Sequence, residues 1–405
     1  MKYYHCYYRI ILSLCTLSMT STLVTAQNST NLPTSMYGVG ELSAGDGGRY
    51  AGMGNIGIAL NRIGFQNTLN PAAITRMDST CFTFDVGASA AYARYSFLSE
   101  HSSSATGNPN RLSMGFRILP HWYAIVGATP YSSVGYLIQT EEEVEGMPGS
   151  YIYSSFEGTG GLYRCYVTNG FALTRNLSVG VNLGMILGSV TQSETQENAT
   201  VEYKSSKRAF YTDFGIYYDL NIAKRQWAAG IVFAPSLPIS HENTLTYSNS
   251  STSSSLDKNY HSRRQYLPMH LGAGVSMTTE RWVVTADYNY MDWSRNSSSY
   301  TSMKYENQHK INVGGIYTTN PRLPRSTELM AGFGVSNSYI NLKDGKMNYL
   351  EASVGVSFPI RYSYLSLGAT WRQQMNSRSN LMQESRFSLN LNLTFGERLS
   401  RAKLR

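Results

Sequence analysis

The chain has 405 residues, room for one large domain or a few small ones, and carries 34 Lys and Arg against 26 Asp and Glu. That basic excess is mild and spread along the chain, and no basic stripe is interleaved with aromatics, which argues against a nucleic-acid surface. Charged residues are only 15% of the total while Tyr (31) and Gly (35) are abundant, a mixture suited to sheets with one apolar and one polar face.

Residues 1–26 read as a secretory signal. Lys2 and Arg9 supply positive charge, Ile10 to Leu17 a short apolar core, and Val24-Thr25-Ala26 small residues for cleavage before Gln27. An exported chain keeps Cys81 and Cys165, both on predicted strands, and their spacing leaves open whether they pair. Residues 27–78 are Gly-rich, carry scattered apolar side chains and show no long alternation. They are expected to fold as a compact segment inside whatever follows.

From residue 79 the pattern changes. Phe82, Phe84, Val86, Ala88 and Ala90 alternate with Thr83, Asp85, Gly87 and Ser89, and Leu177 to Leu187 alternate with Ser178, Gly180, Asn182 and Gly184. Trp282 to Tyr290 and Phe387 to Phe395 repeat the same scheme. Side chains on a strand point to opposite faces in turn, so each segment has one greasy and one wet side. No apolar run after the signal is long enough for a spanning helix, so a place in a membrane demands a closed barrel, which satisfies every backbone group.

Strands are predicted near 80–98, 110–120, 122–140, 158–173, 175–192, 199–220, 226–239, 265–278, 281–293, 308–319, 327–339, 347–359, 362–375 and 384–396. The links alternate in length. Short ones centre on Pro120-His121, Thr174-Arg175, Ala223-Lys224 and Pro359-Arg361, and long polar ones cover Ser99–Pro109, Glu141–Glu157 and Ser240–Arg264. Short turns opposite long loops are the signature of a transmembrane antiparallel β-barrel, here of about 14 strands over residues 79–396. The same parity leaves both termini periplasmic. Thr244–Ser255 is Ser/Thr/Asn-rich and expected to be a mobile loop. Residues 397–405 form a basic tail with Arg398, Arg401, Lys403 and Arg405. Asp85, Arg94, Asp213, Asp219 and Asp287 fall on strands and are expected to face the lumen or an interface, where a charge is tolerated.

Chemistry-bearing motifs are few. Gly52-Met53-Gly54-Asn55-Ile56-Gly57 matches a dinucleotide fingerprint, but no apolar strand precedes it and no βαβ unit follows, so its glycines are read as close packing of a plug. The histidines show no metal spacing, Glu141–Glu143 with Glu145 read as a solvated face, and no Gly-x-Ser-x-Gly is present. No catalytic residue, metal site or cofactor is expected, and the chain is not read as an enzyme.

Three stretches resemble the FadL family of hydrophobic-compound transporters. Arg49-Tyr50-Ala51-Gly52-Met53-Gly54 followed by Asn70-Pro71-Ala72-Ala73-Ile74 is similar to that family's N-terminal hatch. Leu267-Pro268-Met269 leading through Trp282 to Tyr290-Met291-Asp292-Trp293-Ser294 is similar to a strand pair of the family, and the last strand ends likewise on an aromatic, Phe395. The resemblance implies a fourteen-stranded barrel plugged by a hatch, with Arg49, Gly52, Gly54, Asn70, Pro71 and Ala72 as the hatch motif. It also implies an outer-membrane channel for hydrophobic compounds such as long-chain fatty acids. A ligand reaches the lumen, the hatch moves, and a kinked strand opens sideways to the bilayer. Met36, Leu42, Met53, Ile56 and Leu60 are candidates for that path, with simple plug packing as the competing role. The partners expected are a hydrophobic small molecule, outer-membrane lipid and lipopolysaccharide. Other FadL-like barrels serve protein secretion or surface attachment. The polar loops and basic tail keep that scaffold role open, with a periplasmic or secretion partner.

Overall fold

Alternation with a period of two commits most of the chain to strands, and the strands close on themselves. The computed structural model describes residues 30–398 except 44, 46–47, 61, 63–64, 78–80, 98–99, 145, 148, 224, 250–253, 261–263, 299–300, 302, 324, 343–344, 361–362 and 376–381. The expected signal segment, Asp78 and the tail residues Arg401, Lys403 and Arg405 lie outside the described residues, as do the side chains of Cys81 and Arg398.

The N-terminal segment contributes one short strand, β1 (Glu41–Leu42). The wall then runs through β2 (Cys81–Phe97), β3 (Glu100–Leu119), β4 (Trp122–Glu143), β5 (Tyr151–Ala172), β6 (Leu177–Gln196) and β7 (Ala199–Ile222). β8 (Arg225–Ala234) and β9 (Pro238–Asn249) make one interrupted stave, and β10 (Ser254–Tyr260), β11 (Gln265–Tyr266) and β12 (Met269–Thr278) make the next. β13 (Trp282–Asp292), β15 (Gln308–Thr318), β16 (Glu328–Asn337), β18 (Asn348–Ile360), β19 (Ser363–Met375) and β20 (Gln383–Arg398) complete the circuit. Between them, β14 (Met303–Tyr305) and β17 (Ile340–Leu342) pair with each other from two loops. Neighbouring staves are antiparallel, and β20 pairs with β2 to close a barrel of fourteen.

The faces follow the alternation. On β20 Phe387, Leu389, Leu391, Leu393 and Phe395 are exposed, while Asn392 and Thr394 are buried. On β7 Phe214, Ile216, Tyr218, Leu220 and Ile222 point outward between buried Asp213, Tyr217 and Asp219. A continuous apolar belt with aromatics at its margins is what lipid requires of the outside of such a barrel. No helix among the described residues is long and apolar enough to cross a membrane. Cys165 is free and exposed on this outer face.

The strands on one side are far longer than a bilayer needs. β4, β5 and β7 have 22, 22 and 24 residues, against the 9–11 or so that span hydrocarbon. This corrects three expectations, the first being the loop Glu141–Glu157, most of which forms the ends of β4 and β5. Most of Ser99–Pro109 is β3, paired with β2 from Phe97–Glu100 to Ala88–Pro109. Of the Thr244–Ser255 stretch, Thr244–Asn249 lies in β9 and Ser254–Ser255 in β10, which pair with each other, and β9 also pairs with β7. Ser- and Thr-rich composition reads as loop, but a neighbouring strand that supplies backbone partners overrides it. The remaining expectations on charge hold: Asp85, Asp213, Asp219 and Asp287 are buried on the inner face, and Arg94 projects outward near the end of β2.

Candidate functional site

The described residues between 30 and 77 lie inside the ring of strands. Three 3-10 turns, Pro33–Met36, Arg49–Met53 and Pro71–Arg76, lie against different parts of the wall: the first against β4, the second against β15, β16 and β18 to β20, the third against β4 to β7. Asn70 caps the third turn, its Oδ1 accepting from Ala72 N at 3.0 Å. Its Nδ2 donates to Ile58 O at 2.8 Å and to Ile216 O of the wall at 3.1 Å. Pro71 begins the turn, where its missing N–H costs nothing. Backbone meets backbone at Gly52: a β-carbon there would fall 2.6 Å from Gly355 Cα. Gly54 ends the second turn in the left-handed region at φ 77°, which an L side chain resists.

Polar side chains of the wall then bind the hatch backbone. Asp287 Oδ2 accepts from Gly57 N at 2.7 Å and Ile58 N at 2.9 Å, Asn312 donates to Gly54 O at 2.7 Å, and Ser276 donates to Ala59 O at 2.8 Å. Arg49 crosses from the hatch to Glu328 at 2.9 Å, its guanidinium held 3.7 Å from the Phe65 ring centre and 3.6 Å from that of Tyr364. Glu41 reaches β19 and β20, within 2.8 Å of Arg372 and 2.6 Å of Arg386.

The other end of the lumen is covered by the β14–β17 ribbon. Trp293, Tyr305 and Tyr339 stack there, with Trp293 and Tyr339 centroids 4.4 Å apart, and the Tyr339 hydroxyl donates to Gly40 O. Beneath this cover lies a cavity of about 750 Å³ with Met36, Val39, Val134, Tyr136, Phe156 and Val190 on its walls. A second, of about 240 Å³, lies between the hatch and β12 to β19.

The ladder between β3 and β4 is incomplete. β3 and β4 pair only from Leu119–Trp122 to Leu112–Ala128. Beyond that point β3 follows β2, and β4 turns away at a bulge where Tyr131 is inserted between Pro130 and Ser132. The freed edge of β4 is taken by the hatch: Glu41 and Leu42 pair with Ser133 and Ser132, and Ser43 N donates to Tyr131 O at 3.0 Å. A third cavity, of about 190 Å³, runs through this gap from Arg372 and Arg386 inside to Pro130 and Tyr163. Tyr163, whose side chain is exposed on the outer face, is among the residues bordering it.

The fold has solved counterparts. The CymD monoaromatic hydrocarbon channel aligns at TM-score 0.60 and 16% identity, over 88% of this chain and 98% of that one. The Ralstonia pickettii toluene transporter TbuX aligns at TM-score 0.62 and 13% identity, over 88% and 99%. A Pseudomonas aeruginosa FadL homologue aligns at TM-score 0.57 and 13% identity, over 86% and 97%. At such identities the likeness is one of fold. No curated protein sequence matches. The BamG family model matches residues 8–401. The chain belongs to the BamG family. The FadL likeness read from the sequence is therefore a likeness of architecture, carried by a member of the BamG family.

In this BamG-family chain Arg49, Gly52, Asn70, Pro71 and Ala72, the residues of the expected hatch motif, are all buried. The five candidates for a ligand path divide. Met53, Ile56 and Leu60 are fully buried with Tyr50, Phe65, Val283, Ile316 and Met330, which is packing. Met36 lines the largest cavity and Leu42 lines both smaller ones. The wall residues Val134, Tyr136, Phe156 and Val190 were not singled out. For Val134 and Tyr136 the signal is the reversal of phase at Tyr131, after which even-numbered residues of β4 face inward instead of outward, while Phe156 and Val190 follow the unbroken alternation of β5 and β6.

Proposed function

We propose that this chain is an outer-membrane channel that admits hydrophobic small molecules to its lumen and releases them sideways into the bilayer. The observation that carries the reading is the unpaired stretch between β3 and β4, stoppered from inside by hatch residues 41–43 and continuous with a cavity bordered by the outward-facing Tyr163. An apolar solute crosses a polar surface layer at high cost. The largest of the three cavities, where Met36, Val134, Phe156 and Val190 stand beside polar Gln192, Ser205 and Lys207, gives it a partly apolar stop, and a side exit spares it the periplasmic water. Toluene-like aromatics and long-chain fatty acids are the two substrate types to try, the first from the neighbours of similar fold and the second from the FadL resemblance. The lipid-facing belt supports an outer-membrane location, and both termini are read as periplasmic.

A second reading, a scaffold for partner proteins in secretion or surface attachment, has one observation in its favour. The gap is lined mostly by polar and charged groups, among them Asn55, Asn108, Ser132, Ser133, Arg372 and Arg386, which do not favour an apolar passenger. The deciding experiment is flux into liposomes carrying the purified protein, with toluene and a fluorescent fatty acid. The intact chain is compared with Ser133→Trp, which obstructs the gap. Flux that falls in the tryptophan variant supports lateral release. Equal flux from protein-containing and empty liposomes removes the channel reading and leaves the scaffold, to be pursued by crosslinking in the native membrane.

A further inference from the structure

Arg372 of β19 and Arg386 of β20 are direct partners across the ladder and both point into the lumen. Two carboxylates close the pair. Glu384 of the wall lies 2.9 Å from Arg372 Nη2 and 2.9 Å from Arg386 Nε. Glu41 of the hatch receives Arg372 Nη2 at 2.8 Å, Arg386 Nη1 at 2.6 Å and Arg386 Nη2 at 3.0 Å, and Thr30 Oγ1 donates to it at 2.5 Å. None of the four charged side chains is more than 16% exposed. Within this group two positive charges balance two negative ones, and one of the negatives sits on the removable element. With Glu41 withdrawn, the wall keeps two arginines beside Glu384, and the nearby Glu351 is already paired with Lys310 at 2.9 Å, so a buried net positive charge remains with several donors open.

Position sharpens the point. Arg372 lines both smaller cavities and Arg386 lines the one that runs through the gap. Glu41, Leu42 and Ser43 line both as well, so their departure would join the two spaces. Arg372 Nε is buried and has no hydrogen-bond partner among the described residues, so the pair offers more donors than its two carboxylates use. A neutral hydrophobe cannot take the place of Glu41, because it would strand a buried cation. An anionic headgroup can, with its tail lying in the gap toward the apolar outer face.

Resting on the channel reading, we propose that Arg372 and Arg386 form a binding site for the anionic headgroup of an amphiphile, a carboxylate or a phosphate, which Glu41 fills as an internal stand-in while the hatch is closed. The headgroup and Glu41 compete for the same donors, so binding releases residues 41–43 from β4.

The test uses the full chain in non-ionic detergent, titrated with decanoate and decyl phosphate, with acetate and inorganic phosphate as tail-less anions and decanol as the neutral control. Glu41→Gln removes the competing charge and is expected to bind both anionic amphiphiles at least about tenfold more tightly, the worth of a charged hydrogen bond to a buried group. Thr30→Ala, which loosens Glu41 without touching the arginines, is expected to tighten binding by a smaller factor. Arg386→Gln is expected to abolish it. Hydrogen exchange at residues 41–43 should rise with decanoate and not with decanol. If Glu41→Gln and Thr30→Ala speed hatch exchange but leave amphiphile affinity unchanged, Glu41 is only a brace and the site is refuted. If inorganic phosphate binds as well as decyl phosphate, the assignment to an amphiphile is overturned. Toluene flux through liposome-embedded protein reports on the channel separately, so either idea can fail alone.

Discussion

Replacing Arg49 by Met tests whether the hatch is held by its own contacts or merely enclosed. Arg49 is almost fully buried, paired with Glu328 at 2.9 Å and lodged between the rings of Phe65 and Tyr364. Removing one partner of a buried ion pair costs about 3–5 kcal/mol, because the other charge is left without compensation. Here Arg62 remains 3.1 Å from Glu328 and is partly exposed, so the lower figure applies. About 3 kcal/mol is a factor of roughly 150 in the opening of the hatch. The readout is native-state hydrogen exchange at Ala51, Gly54 and Asn55, whose N–H groups bond to Gly48 O, Ala51 O and Tyr50 O within the second turn. Those amides should exchange about a hundredfold faster while the β18–β19 and β19–β20 ladders keep their protection. Arg49→Met with Glu328→Gln should recover most of the loss. Unchanged hatch exchange, or a rise of equal size in the ladders, would sink the idea that this pair holds the hatch independently of the wall.

Three further outcomes are expected. Gly52→Val places a side chain where Gly355 Cα would lie only 2.6 Å away, so the barrel should still fold while protease cuts the displaced hatch, seen as a shortened fragment on a gel. Asp287→Ala deprives the Gly57 and Ile58 amides of their acceptor, at roughly 1–3 kcal/mol for each donor left buried, and should lower the temperature at which the hatch becomes protease-sensitive. The third concerns acid. Burial works to raise the Glu41 carboxyl, but Arg386 and Arg372 outweigh it and hold it at about 2, below its ordinary 4.5. Its contribution is therefore complete above pH 4.5 and lost as pH falls toward 2, and exchange at residues 41–43 should rise only across that interval. Glu41→Gln should remove the acid dependence.

Much of the barrel was legible because its signal is local. Leu177 to Leu187 show their two faces within one strand, and the parity that sends Asp85 and Asp287 inward needs no knowledge of their partners. The height of the wall was not legible, since the Ser- and Thr-rich stretches become β3, β9 and β10 only through neighbours that complete their ladders. The hatch glycines were readable as close packing, although Gly355 and Gly368, which Gly52 meets, lie some 300 residues away in sequence. Glu41, Arg372 and Arg386 are separated by 331 and 345 positions, and no spacing rule joins them. Of the proposed path residues, Met36 and Leu42 could not be told from Met53, Ile56 and Leu60, because facing a cavity and facing a packed neighbour call for the same kinds of side chain.

The extra residue at Tyr131 has a consequence beyond bending β4. Ahead of it Val126 and Ala128 share the outer face with Val167 and Cys165; past it Val134 and Tyr136 share the inner face with the residues that line the large cavity. One inserted residue thus lets a single greasy strand serve two solvents in succession, lipid first and lumen second. Excising Tyr131 would turn Val134, Tyr136 and Ile138 outward, leave Leu137 inside, and bring β4 back into step with β3. An incomplete β3–β4 ladder and an unbroken one would then differ by the deletion of one codon.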